Sequence, residues 1–243
     1  MVEPEVGSWP CAYNLNTGKG FYSIQEALDD FETKPGHTIA LANGVYSENL
    51  LIDKKGLTLA SYTGRPEDVV IEAKNPSKPV IMVRVNGVTI KGLTITGAEG
   101  LIIMGTRMGP PSEGVKLVRV SSITIQDNVL KRNGFGVRLQ ASENAVICGN
   151  DITGNLYGIQ AESSEDISIR DNDLSNNVFA IRVTSSTNSK IQSNNINRNI
   201  YAIHLMSSSH SLVQDNSIVN SWDGIWLSSS SKALIQNNFK TIS

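Results

Sequence analysis

The sequence is short of the residues that mark several protein classes. It has two cysteines, Cys11 and Cys148, in 243 residues. That is too few for a disulfide framework, and they read as lone thiols. No apolar run approaches the roughly 18 residues of a membrane span, so no spanning segment is expected. The 21 basic and 23 acidic side chains leave a net charge of −2, and nothing in that balance points to nucleic acid or an anionic membrane. No signal peptide is visible, because Met1 is followed by acidic and turn residues. A processed secreted protein restarted at Met reads the same way.

What is abundant is asparagine at a fixed period. Of 23 Asn, 17 follow Ser121, and Asn128, Asn150, Asn172, Asn194, Asn216 and Asn238 stand 22 apart. Ser142, Ser164, Ser186, Ser208 and Ser230 keep the same spacing, as do Asn133, Asn155, Asn177, Asn199 and then Ser221. Repeats of this length mean a solenoid or an array. Between the markers lie alternating apolar pairs such as Ile123/Ile125 and Val137/Leu139, and a single apolar residue follows each Asn of the first column, Leu130 and Ile152 among them. Period-two alternation is the strand signal. Three short strands per repeat leave no room for helices, so each repeat is one coil of a parallel β-helix, stacked about 4.8 Å apart. Its hand should be right, as parallel crossovers are. The Asn columns are expected to hold left-handed corners and to bond amide to amide along the stack.

The first half is less regular. Residues 1–36 form an N-terminal segment, and residues 1–20 look irregular. Ser23 and Glu26 make a capping box. Ile24, Ala27, Leu28 and Phe31 follow at helical spacing up to Pro35-Gly36, so a short amphipathic helix is expected over the open end of the solenoid. Residues 37–120 read as early coils and 121–243 as regular ones, all in one all-β domain of nine or ten coils. Ile90 and Ile125 occupy equal phases 35 residues apart. The extra residues map to a loop near 100–113 that contains Met104, Arg107, Met108 and Pro110-Pro111. Insertions in solenoids become loops, often on a binding face.

The runs Ser-Ile-Gln-Glu-Ala-Leu, Pro-Gly-His-Thr-Ile, Gly-Val-Tyr-Ser-Glu and Gly-Val-Thr-Ile-Lys-Gly-Leu-Thr-Ile resemble the opening of pectin-lyase-like right-handed β-helix proteins. The Asn-rich repeats resemble those of the carbohydrate-binding/sugar-hydrolase (CASH) and NosD types. The resemblance covers nearly the whole chain from Phe21 and implies fold more than function, because this scaffold hosts lyases, hydrolases, esterases, epimerases and non-enzymes. The Asp clusters of polygalacturonases, the Asp-Pro-His-Asp signature of alginate epimerases and most of the pectin methylesterase motifs are absent.

Candidate site residues come from the columns. Lys116, Arg138, Gln160, Arg182, His204 and Trp226 are outward positions of successive long strands. Beside them run the small residues Gly114, Gly136, Gly158, Ala180, Ala202 and Gly224, which together suggest a shallow basic and aromatic trough. Lys116, Arg138, Arg182, His204 and Trp226, with Arg107 from the loop, are the candidate carbohydrate-binding residues, since guanidinium groups pair with carboxylates. Phe135, Tyr157, Phe179 and Tyr201 share parity with Val137, so rings stacked inside the coil or at its lip are expected. Asp127, Asp171 and Asp215 recur at one corner. Alternate coils put them about 10 Å apart, near the carboxylate separation of inverting glycosidases, but a place beside Asn favours turn chemistry. His204, Met206 and His210 are the alternative metal donors, because imidazole with thioether suits copper.

The function expected is therefore binding of an acidic polysaccharide outside the cytoplasm, at the cell surface or in the periplasm, and as an enzyme a lyase or epimerase. Calcium would accompany a lyase and copper a NosD-like protein. The alternatives are a non-catalytic cell-surface or structural module and a NosD-like periplasmic copper-associated protein. Lys240 interrupts the apolar column that ends at Ile218, which leaves end-to-end self-association and a further C-terminal continuation both open.

Overall fold

A computed structural model describes residues 10–241 except 101, 104, 105, 108 and 109, with the backbone alone for 102–103 and 106–107. Three parallel sheets run the length of the molecule. The second sheet has nine strands, Gly44–Ser47 to Phe239–Thr241, one for each coil. The third runs from Leu50–Ile52 to Ile225–Ser228. Neighbouring strands pair in register: Ile125 with Ile147, Leu130 with Ile152, Val137 with Ile159. These residues are fully buried, and the aliphatic stacks form one continuous core. The expected β-helix is present.

Residues 10–20 are less irregular than the sequence suggests. Ala12–Asn14 pairs antiparallel with Gly20–Phe21 and with Thr38–Leu41, which extends the first sheet by two strands. The helix Ile24–Asp29 packs on the first coil, with Ile24, Ala27 and Leu28 in the core. Ser23 Oγ accepts from Glu26 N at 3.3 Å. The return bond differs from the expected box: Glu26 takes the N–H of Tyr22, while Glu48 takes those of Ile24 and Gln25 at 2.9 and 3.0 Å. Phe31 lies past the end of the helix and is 76% exposed, because Asp30 already turns the chain out at ψ 135°.

The Asn columns work as ladders. Asn150 Nδ2 donates to Asn172 Oδ1 at 2.9 Å, and the backbone N–H of Asn150 donates to the same oxygen at 3.0 Å. Asn172, Asn194 and Asn216 repeat the pattern. Each amide also satisfies a carbonyl of the preceding coil, as Asn172 does Ile147 at 2.9 Å. The left-handed corners belong to the residue one earlier, not to the ladder Asn. Asp127, Asp171, Asp215 and Asn237 have φ between 53° and 56°, and Gly149 has 66°. The ladder side chain thus points inward while its neighbour makes the bend.

Ile81 pairs with Val115, 34 residues on, and residues 97–112 join the second sheet to the third. Ile102–Ile103 pairs antiparallel with Thr106–Arg107 inside this segment. Met104 and Met108 lie outside the described residues, and so does the side chain of Arg107.

Candidate functional site

The third sheet carries the longest strands, Glu113–Val118, Phe135–Gln140, Tyr157–Glu162, Phe179–Thr184 and Tyr201–Met206, six residues each. The register sets Lys116, Arg138, Gln160, Arg182, His204 and Trp226 side by side in one column, as expected.

The aromatic column behaves differently from its parity. A Cβ on Gly136 would meet the Gly158 carbonyl at 2.6 Å and Ile152 Cγ2 at 3.0 Å, so position 136 faces the core, and Val137 is buried there too. Two successive inward positions reverse the alternation and put Phe135 outside the aliphatic core, at the lip of the coil, where it is still only 6% exposed. The small residues from Gly114 to Ala202 are therefore buried beneath the next coil and are not a trough floor, while Gly224 is half-buried. Gly158 repeats the geometry, since a Cβ there would lie 2.6 Å from the Ala180 carbonyl oxygen.

Phe135, Tyr157, Phe179 and Tyr201 stack with centroids 4.7, 5.0 and 4.5 Å apart. Because the rings lie face to face along the axis, their inner π faces are already covered, and the ladder offers the solvent mainly edges. The cations lean on it. Arg138 Cζ is 4.7 Å from the Phe135 centroid, and Arg182 Cζ is 5.8 and 5.5 Å from those of Tyr157 and Phe179. His204 meets Phe179 and Tyr201 edge-on at 5.5 and 5.1 Å, and Trp226 tilts against it at 5.0 Å.

An acid closes the aromatic column at each end. Glu113 precedes Phe135 by 22 residues, and Asp223 follows Tyr201 by 22. Glu113 is buried and pairs with Lys116 Nζ at 3.1 Å and Arg138 Nη1 at 3.2 Å. Asp223 Oδ2 lies 2.7 Å from His204 Nε2. His204 is 8% exposed, while Trp226 and Trp222 are 42% and 79% exposed on either side of Asp223. A carboxylate on one ring nitrogen fixes the orientation of the imidazole. Sequence reasoning missed both acids. The only signal was their place in the 22-residue column, where acids replace rings.

Other candidates do not join this site. Asp127, Asp171 and Asp215 sit in left-handed turns at the corner after the first sheet, and Asp171 pairs with Arg170 at 2.7 Å. His210 is likewise a turn residue, at φ 55°. Cys11 and Cys148 are free thiols, and partial burial pushes both above their ordinary pKa. Lys240 lies under Gly224, its Cδ 3.2 Å from where a Cβ there would be, and Nζ reaches the Trp222 carbonyl at 3.4 Å.

The family described as "Periplasmic copper-binding protein (NosD)" matches residues 43–209 and 197–241. The chain belongs to the NosD family. Its β-helix is of the right-handed type. Over 114 residues this NosD chain is 38% identical to a cell surface glycoprotein of Methanothermus fervidus, a match that covers 47% of the chain and 17% of that protein. The chain thus spans about a sixth of that relative's length. Among solved structures, a GH136 lacto-N-biosidase from Eubacterium ramulus is similar with a TM-score of 0.66 at 13% identity, over 91% of this chain and 53% of that one. A periplasmic alginate epimerase is similar at 0.58 and 17%, over 90% and 63%. At these identities the likeness is one of fold.

The NosD description raises copper, and the donors here do not fit it. Among the described residues no three His, Cys, Asp or Glu side chains gather where an ion could bind. His204 Nε2 is held by Asp223. Met206 Sδ accepts from the Arg182 guanidinium at 3.5 Å, which sets a permanent cation against the one thioether near the imidazole. His210 lies on another part of the coil.

Proposed function

We propose that this chain binds an acidic glycan on the exposed face of the third sheet, at the cell surface or in the periplasm. The observation that carries the reading is the cluster at the C-terminal end of that face, where half-exposed Trp226 packs 5.0 Å from His204, His204 pairs with Asp223, and exposed Trp222 immediately precedes Asp223 in the chain. Indole rings supply flat apolar surface for a sugar ring, and the pair supplies a donor and an acceptor for its hydroxyls. Trp226, His204 and Arg182 keep the role expected of them, and Trp222 and Asp223 join them. Lys116 and Arg138 lie farther along the face, where Glu113 balances their charge. The location outside the cytoplasm is supported by the periplasmic description of the family and by the surface location in the name of the Methanothermus relative. No helix among the described residues is long and apolar enough to cross a membrane.

A glycan array tests the reading, with Trp226→Ala and Trp222→Ala alongside the parent protein. The expected result is binding by the parent that both substitutions weaken. An array on which the parent binds nothing, or on which both variants bind as it does, overturns the reading.

The oriented imidazole favours a second reading, in which bound uronate-bearing glycan is cleaved by elimination or epimerised. Ultraviolet absorbance of new unsaturated ends, with proton NMR of the sugar ring, tests it. No change in either assay leaves a non-catalytic binding module.

A further inference from the structure

Along the outward column, the charges of Lys116 and Arg138 are already answered by carboxylates. Glu113 serves Lys116 and Arg138 at 3.1 and 3.2 Å, with its own side chain only 4% exposed. Arg138 has a second carboxylate, Glu162, at 3.6 Å. His204 has Asp223. Arg182 stands apart. Among the described residues its terminal nitrogens reach only neutral acceptors, the Tyr157 hydroxyl at 3.4 Å and the Met206 sulfur at 3.5 Å. Its Nε is buried without a partner, so the donors left to a ligand are at the terminal fork. A guanidinium is a permanent cation whose fork matches a carboxylate or a sulfate.

The surroundings of Arg182 limit what that anion can be attached to. One step along the column stands neutral Gln160, and on the other side stands the His204–Asp223 pair. Glu162 pairs with Thr184 on the adjoining outward column, and its side chain is 41% exposed. A chain with an acid on every sugar would set carboxylates against Glu162 and Asp223, and like charges at such range repel. A chain with one acid among neutral sugars would not.

We infer that Arg182 forms a single-anion subsite, selecting a glycan in which an isolated carboxylate or sulfate is flanked by neutral sugars and excluding densely charged polyuronates. This rests on the glycan reading above and narrows it.

Isothermal titration with four oligosaccharides of equal length tests it: a neutral one, the same with a single glucuronate, the same with a single sulfate, and tetragalacturonate. The parent protein prefers the singly charged ligands to the neutral one by about tenfold, the effect of one charge-assisted hydrogen-bonded contact, and binds tetragalacturonate more weakly than either. The two singly charged arms tell carboxylate from sulfate. Arg182→Gln removes the preference, and Glu162→Gln strengthens tetragalacturonate binding. Equal binding of neutral and singly charged ligands overturns the subsite and, with it, the acidic part of the glycan reading, whereas tetragalacturonate as the tightest ligand overturns the subsite and leaves the acidic-glycan reading standing. So does an Arg182→Gln protein that keeps the preference. Failure of the parent to bind all four overturns both.

Discussion

Asp223, just before the strand Ile225–Ser228, grips the neighbouring strand Tyr201–Met206 at two points through one carboxylate. Its Oδ2 lies 2.7 Å from His204 Nε2, while Oδ1 accepts the backbone N–H of Ala202 at 3.1 Å. The imidazole is thereby held against Tyr201 and Trp226 rather than swinging into solvent. A double-mutant cycle of His204→Ala and Asp223→Ala, read by urea unfolding, should give a coupling of about 1 kcal/mol, within the range for groups in direct contact. Strictly additive effects would mean that the pair is not formed in solution.

The amide ladder predicts a position-dependent cost. Asn172→Ala removes the acceptor of two Asn150 donors and the donor that serves Ile147 O, all of them buried. Each orphaned buried group costs about 1–3 kcal/mol, so a loss of about 3 kcal/mol or more is expected in chemical denaturation. Asn238→Ala acts at the last coil, where water can replace the lost partners, and should cost less than about 1 kcal/mol.

The bend in the long strands predicts intolerance at a glycine that is followed in its column by alanines. Ala180 and Ala202 are accepted, yet a methyl on Gly158 would meet the Ala180 carbonyl at 2.6 Å and Leu174 Cδ2 at 3.2 Å. That carbonyl belongs to backbone held in the ladder of strands. Gly158→Ala should destabilise by about 1–3 kcal/mol, the usual cost of overpacking. A lowered melting temperature, with Gly154→Ala as a partner whose methyl meets nothing within 4 Å but whose φ is 67°, separates crowding from backbone strain.

Asp151 predicts a pH effect. Partial desolvation, and then the neighbouring Asp173 carboxylate, push the Asp151 carboxyl above its ordinary value. The folded protein therefore takes up this proton more readily than the unfolded chain does. Asp151 lowers stability above its raised pKa, and this penalty fades as pH falls through the window down to the ordinary carboxylate value. Asp151→Asn should raise the melting temperature at pH 7, and the gain should shrink on acidification. A gain independent of pH would assign the effect to something other than ionisation.

The 22-residue period made the coils, their register and the outward cationic column legible, because equal phase in a solenoid means vertical neighbours. It also made the corner aspartates readable as turn residues. The aromatic column was legible as a stack, but parity alone left open whether its rings lie inside the coil or at its lip. Alternation holds only along a straight strand, and the inward pair Gly136–Val137 breaks it. The left-handed corner was assigned one residue late, since Asn suits both a turn and a ladder, and only the dihedrals separate Asp127 from Asn128. Glu113 and Asp223 escaped because each occurs once, at the end of a column defined by rings. Their meaning depends on which side chains lie beside them, and composition and spacing do not carry that.

The asparagine ladder also has a direction. Every rung donates forward to the following coil and accepts from the one before it, so detaching the last coil deprives one rung while those behind it stay intact. Under tension applied at the C-terminal end, the molecule would come apart as a rope uncoils from a spool. Each yielding step would free 22 residues, about 75 Å of slack at the reach of an extended chain.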